Sequence, residues 1–241
     1  MFMPRFWEID FLRGLAIVGM VVFHAAFDLD FLGARAFDVN SGAWWLLARV
    51  VAAAFVFIAG VCMAVSFQLT SSERVWRKFL GRGAFLFALG LAITAVTFLL
   101  LPGRAVWFGV LHFLGVASVL AVPFLKHGRA LLAGAIISVA AGFLFEKLVV
   151  ATPFLAWLGL RGASFASLDY FPLFPWFGVL LAGALVGKVL YANGARQFRL
   201  PEVGAGNPIW VMALLGRHSL IIYFLHQPIL VALILLASRA A

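Results

Sequence analysis

The sequence has little charge. Asp, Glu, Lys and Arg together make up 11% of its 241 residues, whereas soluble domains average about a quarter. Hydrophobic residues make up 65% of the chain. A water-soluble fold of this length cannot bury so much apolar surface, so the scarcity of charge excludes a soluble protein. We expect the lipid bilayer to be its main surroundings.

Cysteine and nucleic-acid-binding motifs are also scarce. Cys62 is the single cysteine, so the chain cannot form an intramolecular disulfide. The net charge of +9 accompanies no DNA- or RNA-binding motif, so no nucleic-acid partner is expected. We attribute the charge to cytoplasmic loops that face anionic lipid.

Long apolar runs predict an all-α integral membrane protein, with about seven transmembrane helices in one domain over residues 1–241. No convincing cleavage site follows the first run, so we expect it to be retained as a signal anchor. The predicted spans are 9–29, 43–67, 79–101, 107–125, 130–149, 170–190 and 208–236.

Lysine and arginine are distributed unevenly among the predicted loops, ten against five, with three more inside spans. The richer set is Arg5, Arg74, Arg77, Lys78, Arg82, Lys126, Arg129, Lys188, Arg196 and Arg199. The poorer set is Arg35, Arg104, Lys147, Arg161 and Arg239. Because basic loops stay in the cytoplasm, we expect the N-terminus inside and the C-terminus outside.

Four ionisable residues share one face of the first span: Asp10, Arg13, His24 and Asp28. Such residues are costly inside a membrane, so each needs a partner or a function. Asp10 and Arg13 are equally well explained as a structural i,i+3 pair. His24 with Asp28 one turn away is harder to explain structurally.

Polar residues from five segments fall at one predicted depth, beneath the outer surface. These are His24 and Asp28, Arg49, His112, Asp169 with Tyr170, and His226 with Gln227. We interpret them as one polar chamber. The alternative is a ring of interfacial residues that contact headgroups or hydrogen-bond between helices.

The seventh span repeats the pattern of the first. Ser219, Tyr223 and His226 lie on one face, and Arg217 lies nearer the cytoplasmic loops. If the first and seventh spans face each other, they present polar groups to both sides of the membrane. His127 and His218 are interpreted as solvated or structural. A zinc site from His24, His112 and His226 is conceivable, but no spacing demands it and no metal is expected.

Four segments together resemble a known family. They are Glu8–Ile17 with Met20–His24, Phe108–Gly115, Phe174–Gly178, and Leu215–Pro228. The set resembles bacterial membrane proteins related to the catalytic domain of heparan-α-glucosaminide N-acetyltransferase. More widely it looks like the transmembrane acyltransferase superfamily, in which a basic residue, ten residues and a histidine mark the first span. Arg13 and His24 fit that spacing. One departure is that Leu32–Gly42 contains no histidine, where the heparan enzyme's catalytic histidine is assigned.

The resemblance implies transfer of an acetyl or other acyl group from cytoplasmic acyl-CoA to a hydroxyl or amine outside, on a glycan or small molecule. By this resemblance His24 is the general base or acyl carrier and Asp28 orients it. By the same resemblance Arg13 holds the CoA end of the donor. His112 or His226 then binds the acceptor or stabilises the developing oxyanion. Arg49, Asp169, Arg217 and Tyr223 complete the candidate substrate-binding set. The resemblance also implies the inner membrane of a bacterium, and a homo-oligomer is left open.

Two other functions compete with the acyltransferase. Intramembrane Arg, His and Asp groups also suit a transporter or a proton or solute path. The apolar Ile17 and Met20 between the two polar clusters of the first span count against a continuous path. The third hypothesis is a non-enzymatic envelope scaffold.

Overall fold

The computed structural model describes residues 5–35, 37–101, 103–150, 152–204 and 207–240. These residues form helices and no β-strand, only two isolated backbone bridges. The α-helices are α1 Trp7–Phe31, α2 Gly42–Gln68, α3 Ser72–Leu100, α4 Val110–Leu120, α5 Val122–Leu125, α6 Gly128–Phe145, α7 Leu173–Leu190, α8 Pro208–Arg217 and α9 Ser219–Ala240. The all-α fold class is confirmed.

Within the described residues, six helices are long and apolar enough to cross a membrane, namely α1, α2, α3, α6, α7 and α9. The fourth predicted span forms as the shorter pair α4 and α5, which meet at Ala121. Pro123 has no N–H to donate to the preceding turn, which explains the break. The seventh predicted span divides at His218 into α8 and α9. The side chain of Arg239, counted above in an outer loop, lies outside the described part.

The chain divides into two compact units. The central unit is Ala59–Phe198, and the terminal unit consists of the described residues of Pro4–Ile58 and Arg199–Ala241. Helix α2 contributes its first part to the terminal unit and its second part to the central unit.

Close helix contacts organise the central unit. Helix α3 packs on α4, and α6 packs on α7. Gly83 of α3 and Gly115 of α4 face each other, and a Cβ on Gly83 would lie 2.7 Å from the Gly115 carbonyl oxygen. Small residues allow two helices to approach this closely. Close packing matters in lipid because the hydrophobic effect does not drive helices together there.

The terminal unit is built on α1, which packs against α8 and then α9. Glycines fix the α1–α8 crossing. A Cβ on Gly14 would overlap the Met212 carbonyl, and one on Gly216 would overlap the Asp10 carbonyl. Side chains on α1 therefore lie directly beside those on α8 and α9, so the first and seventh predicted spans do face each other.

Candidate functional site

Two histidines meet in the terminal unit. His24 of α1 and His226 of α9 place their ring centroids 4.9 Å apart. His24 Nδ1 lies 3.3 Å from His226 Nε2 and 3.0 Å from the Met20 carbonyl oxygen. His226 Nδ1 lies 2.7 Å from the Tyr223 carbonyl oxygen. Each ring is thus held by its own helix and by the other ring.

These contacts assign the tautomers. A neutral imidazole has one N–H donor and one acceptor nitrogen, and a carbonyl oxygen only accepts. Nδ1 of His226 therefore donates to Tyr223, and its Nε2 is an acceptor. Nδ1 of His24 donates, shared between Met20 and His226. The lone pair of His24 is left on Nε2, which hydrogen-bonds to none of the described residues. A nitrogen with this lone pair can act as a base or a nucleophile.

A second contact joins the same two helices one turn further along α1. Gln227 Nε2 donates to Asp28 Oδ1 at 2.6 Å. Among the described residues, Asp28 Oδ2 and Gln227 Oε1 are buried and have no hydrogen-bond partner. The partner of Asp28 is thus Gln227 rather than His24. The His24 ring is turned toward the Met20 carbonyl and His226 instead.

The Asp10–Arg13 cluster of the first span also has a partner from the seventh predicted span. Asp10 is buried, and its carboxylate accepts from Arg13 Nη1 at 3.4 Å and from Arg217 Nε at 3.2 Å. Arg13 Nη1 also donates to the Gly216 carbonyl at 3.5 Å. Asp10 therefore holds two arginines together beside the glycine crossing of α1 and α8.

Between the two polar clusters the α1 face is apolar and closed. Ile17 is 1% exposed and Met20 6%. No polar side chain of α1 connects Asp10 with His24 on this face, which disfavours a continuous polar path.

Two further candidates of the terminal unit have other neighbours. Arg49 is exposed, and its guanidinium carbon lies 5.0 Å from the centroid of the Trp45 ring, a cation–π contact one turn away. Tyr223 places its ring 5.8 Å from His226 and its carbonyl on His226 Nδ1. Tyr223 therefore adjoins the histidine pair, whereas Arg49 contacts Trp45.

His112 lies in the central unit and is 2% exposed. Its Nδ1 accepts the Gly109 N–H at 3.2 Å, so its Nε2 carries the proton and faces the Thr94 hydroxyl at 3.4 Å. Phe87 meets its ring edge-on and Phe108 stacks on it. Both ring nitrogens are thus occupied within the fold.

Asp169 lies at the same end of α4 as His112. Its Oδ2 accepts the Val110 N–H at 3.0 Å, which satisfies one of the unpaired donors at the start of that helix. Nearby, Tyr170 donates its hydroxyl to the Ala156 carbonyl at 2.7 Å. Burial raises the pKa of the Tyr170 hydroxyl, and Arg161 beside its ring partly offsets this rise.

The residues proposed for one chamber are divided between the two units. His24, Asp28, His226 and Gln227 belong to the terminal unit, and His112, Asp169 and Tyr170 to the central unit. The single chamber stays a prediction. Gln227 was predicted from the sequence to lie at the depth of His226 but was assigned no role, although an amide in an apolar span beside a histidine was the available signal.

A metal site was considered above from three histidines. In the part of the chain that the structure describes, no group of three or more His, Cys, Asp or Glu side chains could hold a metal ion.

Comparison with known families identifies the chain. Residues 5–228 match the family described as heparan-alpha-glucosaminide N-acetyltransferase, catalytic. The match covers all of the terminal-unit contacts described above, and the family suggests a transmembrane acetyltransferase. No curated protein and no solved structure matches the chain. With six helices long enough to span a bilayer, the protein is a multi-pass integral membrane protein, and it belongs to the heparan-alpha-glucosaminide N-acetyltransferase catalytic-domain family.

Proposed function

We propose that the protein transfers an acetyl group from acetyl-CoA to a hydroxyl or amine of an acceptor outside the cytoplasm, a glycan or a small molecule. The observation that carries this proposal is the hydrogen bonding of the His24 ring. Its Nδ1 is committed to Met20 and His226, which leaves the lone pair on Nε2. Family membership supplies the reaction class.

In the first step His24 Nε2 attacks the thioester carbonyl. The new bond joins Nε2 to the acetyl carbon, the carbon–sulfur bond breaks, and CoA leaves as a thiolate. The imidazole would become positive as it is acetylated. His226 Nε2, 3.3 Å from His24 Nδ1, can take the Nδ1 proton and relieve that charge.

In the second step an acceptor O–H or N–H attacks the acetyl carbon. The bond to His24 Nε2 breaks, its electron pair returns to the nitrogen, and the proton on His226 returns to Nδ1. The acceptor proton passes to the Asp28 carboxylate and finally to the CoA thiolate. The balance is one thioester and one O–H or N–H converted into one thiol and one ester or amide.

The arginine cluster is the proposed donor side. Arg13 and Arg217 both contact Asp10, and guanidinium groups bind phosphate oxygens well. We propose that both arginines bind a phosphate group of CoA. The Arg217→Ala variant should raise the KM for acetyl-CoA more than it lowers kcat, and an unchanged KM would contradict the assignment.

Orientation is proposed from the distribution of lysine and arginine, with the N-terminus and the basic loops in the cytoplasm and the protein in the inner membrane of a bacterium. Single cysteines test it in a Cys62→Ser background. Cysteine at the exposed Arg74 should be protected from an impermeant maleimide in intact cells, and cysteine at the exposed Arg35 should be labelled. Labelling at position 74 with protection at position 35 would show that the orientation is the opposite of the one proposed.

Radiolabelled acetyl-CoA tests the activity with purified protein in lipid nanodiscs. Wild type should release CoA and retain label, and His24→Ala should lose both activities. His127→Ala is the matched control because His127 is an exposed loop histidine. Absence of acetyl-CoA binding and CoA release in the wild type would overturn the proposal. CoA release without retained label would make His24 a general base.

A further inference from the structure

A cavity of about 230 Å³ opens in the central unit, beside the connection from α2 to α3. The residues that line it are Phe67, Gln68, Thr70, Ser72, Val75, Trp76, Val122 and Lys126. They come from the end of α2, the start of α3 and the two ends of α5, and all of them belong to the central unit. The cavity is therefore separate from the acetyl-transfer site proposed above.

Part of the cavity wall is fixed by hydrogen bonds within the fold. Gln68 Oε1 accepts the Asn193 N–H at 2.8 Å. Thr70 Oγ1 donates to the Ser66 carbonyl at 2.6 Å and accepts from Lys78 Nζ at 2.8 Å. These polar groups are held in place by the protein itself, so the cavity is preformed.

Positive charge dominates around the cavity. Lys126 lines it, Lys78 bonds to its wall, and Lys188 Nζ donates to the Lys126 carbonyl at 3.0 Å. Among the described residues none of these three lysines forms an ion pair with a carboxylate. Glu73 is the one acidic residue in the stretch 66–82 of the sequence, against four basic ones. The charge of the cavity therefore favours an anionic ligand.

Two donors at the cavity are available to such a ligand. The Ser72 hydroxyl and the Lys126 ammonium group have no hydrogen-bond partner among the described residues. Ser72 is also the first residue of α3, and the positive end of the helix dipole adds to the attraction of an anion. A phosphate group presents several acceptor oxygens, so it can bond to both donors at once.

The surroundings of the cavity favour a lipid over a soluble phosphate compound. Trp76 is 55% exposed, and Leu80, one turn further along α3, is 58% exposed. Tryptophan is enriched at the depth of lipid headgroups, and exposed leucine on a membrane-spanning helix contacts acyl chains. The cavity is also smaller than the roughly 300–1,000 Å³ of sites that enclose a drug-sized ligand. It therefore suits a headgroup whose acyl chains lie outside, along α3.

We infer that this cavity binds the headgroup of an anionic phospholipid, with its phosphate on Lys126 and Ser72 and its acyl chains along Trp76 and Leu80. The orientation proposed above places the site in the cytoplasmic leaflet, whose anionic lipids are attracted to basic groups. The bound lipid joins the start of α3 to the end of α5. This binding does not depend on acetyl transfer.

Native mass spectrometry of the full chain, titrated with phosphatidylglycerol or phosphatidylcholine in detergent, tests the inference. Lys126→Gln removes the charge that lines the cavity. Arg129→Gln is the matched control, because Arg129 is exposed three residues later and does not line it. Ser72→Phe is a second variant, which fills the cavity and leaves every charge in place. CoA and inorganic phosphate are added as soluble competitors.

We expect the wild type to bind phosphatidylglycerol at least about tenfold more tightly than phosphatidylcholine. Lys126→Gln should weaken phosphatidylglycerol binding by about 10- to 100-fold and Ser72→Phe by at least about tenfold, whereas Arg129→Gln should weaken it by at most about fivefold.

Three results would overturn the inference. Equal losses in Lys126→Gln and Arg129→Gln would show a general attraction to a basic surface, and no preference between the two lipids would show no anion site. Displacement of phosphatidylglycerol by CoA or inorganic phosphate would show that the cavity takes a soluble phosphate instead. Unchanged binding in Ser72→Phe would likewise place the lipid elsewhere on the protein.

Discussion

The two buried histidine sites of this protein differ in what they leave unpaired. In the central unit both nitrogens of His112 are occupied, by the Gly109 N–H and by Thr94, and two phenylalanine rings flank it. In the terminal unit the contacts of His24 and Asp28 leave one nitrogen and one oxygen without a partner among the described residues. A satisfied buried histidine stabilises a fold, and an unsatisfied one is available for chemistry.

The largest effect on stability is expected at His112. His112→Ala removes a fully packed ring and leaves the Gly109 N–H and Thr94 without their partner, which should cost about 2–5 kcal/mol of unfolding free energy. Thermal unfolding in detergent measures it, with His127→Ala as the control. An unchanged unfolding temperature together with a higher acceptor KM would instead make His112 the substrate-binding residue that the sequence predicted.

The next effect concerns the partner of the reacting ring. His226→Gln keeps a polar side chain, but an amide is far less basic than an imidazole and cannot take the Nδ1 proton as His24 is acetylated. Acetyl loading should fall by about 10- to 100-fold, while thermal stability changes little. NMR of histidine labelled with nitrogen-15 should show Nδ1-protonated His24 in wild type and in the variant, because the Met20 carbonyl still accepts from Nδ1. Full loading activity in the variant would remove His226 from the mechanism.

The helix crossing beneath the site gives a smaller effect. Gly216→Ala places a methyl group against the Asp10 carbonyl and should destabilise the protein by about 1–3 kcal/mol. Gly204→Ala is the control, because a Cβ there meets nothing within 4 Å. Equal unfolding temperatures for the two variants would show that α1 and α8 do not cross closely at this position.

The smallest effect is expected at Asp169. Asp169→Ala removes the carboxylate that accepts the Val110 N–H at the start of α4, a capping contact worth about 0.5–2 kcal/mol. Thermal unfolding detects the loss, and Asp169→Asn should recover part of it because the amide oxygen can still accept. If Asp169→Asn instead raises the acceptor KM with no change in stability, Asp169 belongs with Asp28 rather than with His112.

Much of this comparison was predictable from helical geometry. The 3.6-residue period places His24 and Asp28 on one face of α1, and the apolar runs locate the helices to within a few residues except at the charged start of α3. The contact of Arg49 with Trp45 was also local, one turn apart on α2. Contacts between residues four positions apart on one helix can be predicted directly from the sequence.

The pairing between helices was not predictable in the same way. Asp28 and Gln227 are 199 residues apart, and helices that are apolar on every side give no pattern that selects a neighbour in lipid. The break at Pro123 and the satisfied state of His112 likewise depend on atoms brought together by packing. Composition therefore predicts the fold class, but only the structure shows which hydrogen-bond partners each polar atom has.

The central claim is that His24 Nε2 carries the acetyl group. Mass spectrometry of proteolytic fragments, after the protein is mixed with acetyl-CoA and rapidly quenched, tests it most directly. We predict one acetyl group on the fragment that contains His24, absent from His24→Gln and lost when acceptor is added before the quench. Acetyl transfer that proceeds at the wild-type rate in His24→Gln would contradict the claim.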